Sequence, residues 1–375
     1  MSQINTNAIL DASGGTTTTV NGFTPTVSNM AGRNLIINGA MQVAQRGTST
    51  TGVTTTDGYY ACDRWRTQTD YGTWTISQNT DAPNGFANSL KMLCTSGGTS
   101  NSDEISLRYY FEGQDVQGLG YGTSDAKEVT ASFWIKSNTT GTYTLRFYVQ
   151  DTGTPEVSKT FTIDAADTWE YKTVTAPANT SYAVTNDNTF GFGLFWYFGA
   201  ASGFTSTPLN ETWNASVSAN SVNSDIPGLG GSTNDYVNIT GVQLEVGSVA
   251  TPFEHRSYGE ELASCQRYYQ RYGNTQLYNR YAMGQCQTST RCIAIQHLPV
   301  TMRSQPSLVT TGTIGNYGVF EAGSVRQLSN LSLDNNSTDK IIVYLCDISS
   351  GFTSGNAGEL LNYGTVVYLD LNAEL

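Results

Sequence analysis

An all-β fold is predicted for this chain of 375 residues, and three observations indicate it. Short segments alternate apolar with polar residues, which is the pattern of half-buried strands. Turn-forming residues recur between these segments, and the chain holds 38 glycines. The helical pattern is confined to one short stretch, residues 255–272. Regularly spaced short strands are typical of sandwiches or barrels, and the length allows two or three domains.

The first 32 residues are predicted to be an extended docking arm. They are rich in Thr, Asn and Gly, show no helical period and offer little to bury;. An arm of this kind in an assembly protein docks on a neighbouring protein. The alternative is a terminus without fixed contacts.

Residues 33–254 are predicted to form the larger β-domain. A Pro-Asn-Gly turn at 83–85 separates two apolar segments and predicts a hairpin;. Further strands are predicted from Thr142, Asp167, Gly191 and Tyr236. The strand that follows Glu128 shows the clearest alternation. It sets Val129, Ala131, Phe133 and Ile135 against Thr130, Ser132, Trp134 and Lys136.

A connecting helix is predicted over residues 255–272. Ser257 and Glu260 have the spacing of a capping box;. Four residues at offsets of three, seven and ten share one face of this helix: Leu262, Cys265, Tyr269 and Tyr272;. This face packs either on its own domain or against the same helix of neighbouring copies, which makes it a candidate oligomer interface.

Residues 273–375 are predicted to be a smaller β-sandwich. Its closing strand alternates Val367, Leu369 and Leu371 with polar positions, so the last residues belong to a sheet;.

The charge pattern excludes several classes of partner. The net charge is −12, and no Lys/Arg cluster offers the basic face that nucleic acid or an anionic membrane requires;. The N-terminus lacks the basic and apolar regions of a signal peptide, and no apolar run is long enough to cross a membrane;.

Catalytic and metal motifs are not predicted. The two histidines, His255 and His297, stand in unrelated segments, and glycine clusters lack a phosphate-loop lysine;. The six cysteines show no Cys-x-x-Cys pair, so zinc binding is not expected;. Cys286 and Cys292 would lie on the same face of one strand, about 20 Å apart, unless the chain turns between them;.

Several segments resemble tail-fibre and related structural proteins of tailed bacteriophages. They are NLIINGAMQVAQRG from Asn34 with the following DRW, then GVQLEVG, TPFEHRSYGEEL and CQRYY within 234–271, and finally LPVTMRSQPS with the terminal LNAEL. The order of the segments FWIKS, TWEYKTV and ITGVQLEVG also resembles jelly-roll carbohydrate-binding modules. The resemblance implies a jelly-roll β-sandwich in residues 33–254, before the helix and the smaller sandwich.

The resemblance implies a non-enzymatic virion protein, made in the host cytoplasm and released by lysis. It would be a homotrimeric tail fibre or fibre tip, attached to other virion proteins by its arm, that recognises a host surface glycan or lipopolysaccharide. A capsid or neck decoration that binds only virion proteins is the alternative. A polysaccharide depolymerase comes third, because the acidic pairs Asp103–Glu104 and Glu260–Glu261 carry no spacing that would set a catalytic distance;. No cofactor is expected, except that the resemblance would place a structural calcium ion at Asp235.

Five aromatic residues are candidate sugar contacts, because flat rings stack on sugars while Asn, Gln, Ser and Thr nearby supply polar partners. They are Tyr109, Tyr110, Trp196, Tyr197 and Trp213. A place in the core is the competing interpretation, since alternation around Trp196 buries either the parity of Phe195 and Tyr197 or that of Leu194, Trp196 and Phe198;.

Overall fold

Strands dominate this computed structural model, which describes residues 32–54, 56–98 and 103–375. Strands make up 43% and helices 8%, so the predicted all-β fold is confirmed. The chain divides into two compact units, Met1–Arg256 and Ser257–Leu375. Apart from Gly32, the predicted docking arm lies outside the described residues.

The first unit is a sandwich of two antiparallel sheets. Its strands are β1 (Ser49–Val53), β2 (Thr56–Tyr59), β3 (Arg66–Thr69), β4 (Thr73–Asn79), β5 (Ser89–Ser96), β6 (Glu104–Glu112), β7 (Val129–Ser137), β8 (Gly141–Val149), β9 (Pro155–Ile163), β10 (Glu170–Ala176), β11 (Phe190–Ala200), β12 (Asn214–Ala215) and β13 (Tyr236–Val246). One sheet has the order β1-β4-β5-β13-β7-β10, and the other has the order β12-β9-β8-β11-β6-β3-β2. The predicted hairpin is confirmed, because β4 and β5 pair antiparallel. Short helical turns lie at Gly113–Leu119, α1 (Ser202–Thr205) and Ser218–Asn220.

The core of the first unit lies between the inward faces of the two sheets. Trp196 on β11 sits at its centre, 5.7 Å from the ring of Trp65 and 5.7 Å from that of Phe133. All three side chains are at most 1% exposed. The alternation predicted for β7 is confirmed at Phe133, which faces the core while Trp134 faces outward.

Two N-terminal motifs meet in the interior of the first unit. Asn38 takes a positive φ of 59°, and its amide donates to the carbonyl oxygens of Val43 and Asp63, each at 2.9 Å. The Trp65 indole N–H donates to the carbonyl oxygen of Asn38 at 3.0 Å. These bonds satisfy backbone groups that lie outside any strand ladder. The segment from Asn34 is therefore tied to the Asp-Arg-Trp segment, although about 25 residues separate them in the chain.

The two ends of the first unit are bonded to each other. The Glu254 carboxylate accepts hydrogen bonds from the backbone N–H groups of Gly32 at 2.7 Å and Asn34 at 2.8 Å. The Arg256 guanidinium donates to the carbonyl oxygens of Ile36, at 3.0 Å, and Asn34. We call this set of bonds the terminal clamp.

The second unit also contains two antiparallel sheets. Its elements are helix α2 (Tyr258–Gln266) and strands β14 (Tyr269–Tyr272), β15 (Arg280–Cys286), β16 (Arg291–His297), β17 (Ser307–Thr310), β18 (Tyr317–Glu321), β19 (Ser324–Gln327), β20 (Asn330–Leu333), β21 (Ile341–Asp347), β22 (Ala357–Asn362) and β23 (Leu369–Asn372). A short 3-10 helix spans Ile314–Asn316. One sheet has the order β14-β23-β17, and the other has the order β19-β18-β22-β15-β16-β21-β20. The closing strand lies at the centre of the smaller sheet, with Val367, Leu369 and Leu371 buried.

The predicted helix is shorter than expected. Ser257 and Glu260 do form the capping box, but α2 ends at Gln266. Tyr269 and Tyr272 belong instead to β14, which pairs with β23. A long helical face was inferred from spacing alone, whereas aromatic residues favour strands and β23 provides the partner.

Of the two alternatives that the sequence left open for Cys286 and Cys292, the structure shows the one with a turn between them. The chain turns after Cys286, and the two residues are direct cross-strand partners on β15 and β16. Cys292 also pairs with Cys346 on β21, so three unbonded thiols form a row across the sheet. Burial raises the pKa of each of these thiols.

No helix within the described ranges is long and apolar enough to cross a membrane.

Candidate functional site

The five predicted sugar contacts do not form a binding surface. Tyr109 and Trp196 face the core and are at most 1% exposed, so no sugar can stack on them. Trp213 is half-buried and donates its indole N–H to the carbonyl oxygen of Pro177 at 2.7 Å. Alternation along β11 places Trp196 inward and Tyr197 outward, which resolves the two parities that the sequence left open.

The remaining two predicted contacts are Tyr110 and Tyr197. They point to the outer face of the seven-stranded sheet of the first unit, but other side chains cover them there. Tyr110 is 6% exposed and Tyr197 is 1% exposed. Arg66 lies 5.1 Å from the centre of the Tyr110 ring, and Arg146 donates to the Tyr197 hydroxyl at 3.0 Å. Guanidinium groups thus occupy the positions that a sugar would need.

Ion pairs hold this arginine layer in place. Arg66 and Arg108 share Asp57, at 2.5 Å and 3.7 Å, and Arg146 contacts Glu156 at 2.6 Å. Burial lowers the pKa of Arg146, but Tyr197 and Glu156 outweigh that effect and raise it, so the guanidinium stays charged. We interpret the layer as structural because its charges are paired within the fold.

An exposed aromatic surface lies on the outer face of the six-stranded sheet. We call Trp134, Trp169, Tyr171 and Tyr236 the aromatic platform. Trp134 on β7 and Tyr171 on β10 are cross-strand partners with ring centres 5.4 Å apart. Tyr171 is 43% exposed, and the other three rings are half-buried. Neighbouring aromatic rings that remain partly open to solvent on a sheet face mark a surface for contact.

Charged groups beside the platform hold its rings in place. The Asp81 carboxylate accepts the indole N–H of Trp169 at 3.1 Å and the ammonium of Lys136 at 2.7 Å. Burial raises the pKa of Asp81, but the hydrogen bonds from Lys136 and Trp169 outweigh it and hold that pKa below its usual value. The Trp169 ring is therefore held in one orientation by a charged acceptor.

The fourth ring is held in a similar way. Lys91 lies 4.6 Å from the centre of the Tyr236 ring, and the Tyr236 hydroxyl donates to the carboxylate of Asp167. Burial and this bond raise the pKa of Tyr236, so the phenol remains neutral. The platform thus combines flat rings with ammonium donors and carboxylate acceptors, which is the chemistry of a sugar site.

The sequence carries a signal for the platform that is independent of the five predicted sugar contacts. Trp134 falls on the polar parity of β7 beside Lys136, where an aromatic residue points to solvent. Trp169, just before β10, and Tyr171 on β10 also fall on the polar parity of their strand. The pairing of β7 with β10 that brings them together could not be obtained from alternation alone.

The residues proposed for an oligomer interface do not share one surface. Cys265 and Tyr269 are at most 3% exposed and offer no area to another copy. Leu262 and Tyr272 are half-buried, and Tyr272 packs against the core of the second unit. The four residues therefore do not form one helical face, because Tyr269 and Tyr272 belong to a strand. The burial of Cys265 and Tyr269 favours the alternative that they pack on their own unit.

The calcium ligand remains a prediction. The Asp235 carboxylate accepts the backbone N–H groups of Gly230 at 3.0 Å and Ser232 at 2.9 Å, which closes its own loop. In the described part of the chain, no three His, Cys, Asp or Glu side chains are grouped as a metal site requires.

Comparisons with known proteins find structures of low similarity. No protein-family model matches the chain, and no curated protein sequence matches it. The enzymatically active domain of tailspike protein 4 of bacteriophage CBA120 has 12% identity and a TM-score of 0.31, covering 57% of this chain. Carbohydrate-binding module TmCBM61, solved with beta-1,4-galactotriose, has 11% identity, a TM-score of 0.29 and covers 57%. The CBM22-1 xylan-binding domain of Paenibacillus barcinonensis Xyn10C has 10% identity, a TM-score of 0.24 and covers 56%.

The fraction of each matched protein chain that this chain covers differs widely. This chain spans 21% of the tailspike chain, 99% of TmCBM61 and 99% of the xylan-binding domain. At these identities and TM-scores the likenesses carry no argument about what this chain binds.

Proposed function

We propose that the chain is a structural virion protein of a tailed bacteriophage, a tail fibre or fibre tip that recognises a host surface glycan through the aromatic platform. The observation that carries the glycan-binding part is the group of four outward-facing rings on the six-stranded sheet, of which Tyr171 is exposed and the other three are half-buried. The virion part rests on the sequence segments from Asn34, within 234–271 and at the C-terminus that resemble phage fibre proteins. Attachment through residues 1–32 and a homotrimeric state belong to the same proposal.

The platform has the chemistry to bind a short stretch of polysaccharide. Aromatic faces attract the C–H groups of a sugar, while hydroxyls need donors and acceptors at the edge. Trp134 and Tyr171 supply neighbouring faces, and Lys136 with Asp81 supplies polar atoms beside Trp169.

The charges favour a neutral glycan. Lys91 and Lys136 balance Asp81 and Asp167 within the platform, whereas the whole chain carries −12. A strongly acidic capsule would be repelled at long range by that net charge. We therefore propose a neutral surface glycan, such as an uncharged lipopolysaccharide side chain.

Replacing Trp134 with alanine is expected to weaken binding to host cells about tenfold, or ~1.4 kcal/mol, because a stacking face is lost. Tyr258→Ala is the matched control, since Tyr258 is an aromatic side chain with 56% exposure outside the platform. Both variants are checked for unchanged melting. Equal binding by the two variants would contradict the placement of the site.

The defining experiment measures labelled full-length protein on candidate bacterial hosts with and without their surface polysaccharide. Selective binding that disappears on stripping supports a receptor-binding fibre. A folded protein that binds no host cell overturns the proposal and favours the capsid or neck decoration.

Binding is expected to be constant from about pH 8 to pH 5 and to fall under more acidic conditions. Asp81 has a lowered pKa, so its charge is fully present above the ordinary value of 3.8 and is lost as the pH falls through the lower folded-state value. Protonation removes the ion pair with Lys136 and weakens the hold on Trp169. Titrated cell binding measures this, with Asp81→Asn expected to lose the acid dependence. A decline centred near neutral pH would contradict the role of Asp81.

A further inference from the structure

The larger sheet of the second unit has an apolar face on its outer side. We call it the apolar outer face, formed by residues of β15, β16 and β21: Met283, Ile293, Ile295, Ile341, Val343 and Leu345. The opposite parity of the same strands, including Cys292 and Tyr344, fills the core. The middle of these strands is therefore apolar on both sides, while Gln285, Arg291, His297 and Asp347 lie at the margins of the outer face.

Five of the six side chains are direct neighbours across the strands, and the sixth, Ile341, pairs with His297. Ile295 pairs with Met283 on one side and with Val343 on the other, while Ile293 pairs with Leu345. Met283 is 67% exposed and Ile295 is 47% exposed. An antiparallel sheet with one face in water normally alternates apolar with polar residues, and this sheet does not. Its outer face has the composition of a buried surface.

We infer that the apolar outer face is covered by the same face of a second copy of this chain. This two-fold contact is a different interface from that of the proposed homotrimer. It also stands apart from glycan binding, because the aromatic platform lies in the other unit. Two such sheets would pack at a separation of ~10 Å, as the layers of a sandwich do.

Charge balance favours a second copy over a different partner. The charged side chains next to the apolar residues form two ion pairs, Arg280 with Glu359 at 2.5 Å and Arg291 with Asp347 at 2.6 Å. These pairs leave the face without net charge, although the chain carries −12. Two copies can therefore meet here without the repulsion that their remaining surfaces impose. A partner selected by opposite charge would find no complementary field on this face.

The area of the apolar outer face sets the expected strength of the association between two copies. The three strands of the face, ~4.8 Å apart and each contributing about five residues at ~3.4 Å, give roughly 250 Å² per copy. The flanking strands β22 and β20 extend the contact to roughly 400 Å²;. Paired faces then approach the lower size limit of specific interfaces, where association is weak. The association is expected to depend on concentration in the micromolar range.

The test measures the mass of the full chain by analytical ultracentrifugation from about 1 to 100 μM. The natural chain is expected to reach the mass of two copies, because a face paired with itself closes in a dimer, and Ile295→Lys is expected to remain monomeric. Val309→Lys is the matched control, because Val309 is 46% exposed on β17 of the other sheet. A natural chain that stays monomeric throughout overturns the inference, as does an equal mass for Ile295→Lys and the natural chain.

A second measurement does not depend on a destabilising charge. Met283→Cys is treated with a bis-maleimide that spans the ~10 Å between packed sheets. The natural cysteines of the chain are buried, so the introduced thiol is the reactive one. Covalent dimers from Met283→Cys but not from Val309→Cys are expected. Equal yields from both variants overturn the inference, and so does a monomer whose Met283→Cys thiol is protected, since another part of the chain would then cover the face. Either result leaves host-cell binding to be judged by its own assay.

Discussion

Trp196→Ala is expected to lower the free energy of unfolding of the first unit by about 3–5 kcal/mol, the range for removal of a large buried aromatic side chain. Trp196 is fully buried and contacts the rings of Trp65 and Phe133, so its loss leaves a cavity that both sheets border. Urea unfolding of the full chain, followed by far-UV circular dichroism, measures the change.

A matched pair of conservative substitutions tests whether the hydrogen bond of a buried indole contributes to the stability of this core. The Trp196 indole N–H is buried without a hydrogen-bond partner, whereas that of Trp65 donates to the carbonyl oxygen of Asn38 at 3.0 Å. Trp65→Phe removes this bond, although the Asn38 carbonyl oxygen still accepts the Met41 N–H at 3.1 Å. It is expected to cost about 0.5–1.5 kcal/mol more than Trp196→Phe, which loses no hydrogen bond of its indole. If Trp196→Phe proves the more damaging of the two, the account of this core is wrong.

Removing Glu156 is expected to destabilise the first unit by a similar amount, about 3–5 kcal/mol, because a buried guanidinium loses its counter-ion. Glu156 is fully buried, lies 2.6 Å from Arg146 and accepts the hydroxyls of Ser216 at 2.6 Å and Ser221 at 2.7 Å. Glu156→Ala leaves the Arg146 charge and two donors without that acceptor. The same unfolding assay measures the loss.

A double variant separates the ion pair from the packing. Arg146→Met with Glu156→Leu removes both charges and is expected to recover most of the stability lost in Glu156→Ala, since paired apolar replacements of a buried ion pair are often neutral. A double variant no more stable than Glu156→Ala would show that shape, rather than the unpaired charge, determines the loss.

The sequence predicted the strands better than their partners. Alternation in the segment 128–137 identified β7 and its inward residues correctly, because side chains of a strand point to opposite faces in turn. The same alternation left the parity of β11 open, since Trp196 and Tyr197 are both aromatic. Only the packing of the second sheet decides that Trp196 faces inward.

The candidate site illustrates the same limit. The sequence placed Trp134 among polar residues, which was enough to point it outward, but Tyr171 becomes its neighbour only through the pairing of β7 with β10. Cross-strand contacts join residues far apart in the chain, and their register depends on the whole sheet. At Tyr269 the error had a different cause, because helical spacing over a few residues also fits a strand that finds a partner.

The terminal clamp has a mechanical consequence. Force applied between Gly32 and Arg256 would be carried by the bonds to Glu254 and Arg256, together with the bond from the Leu35 N–H to the carbonyl oxygen of Leu244 on β13. The other strands of the sandwich form a loop of chain between these two points and lie outside the direct path of the force. An appendage built on this plan can carry strain along its length while the aromatic platform keeps its shape.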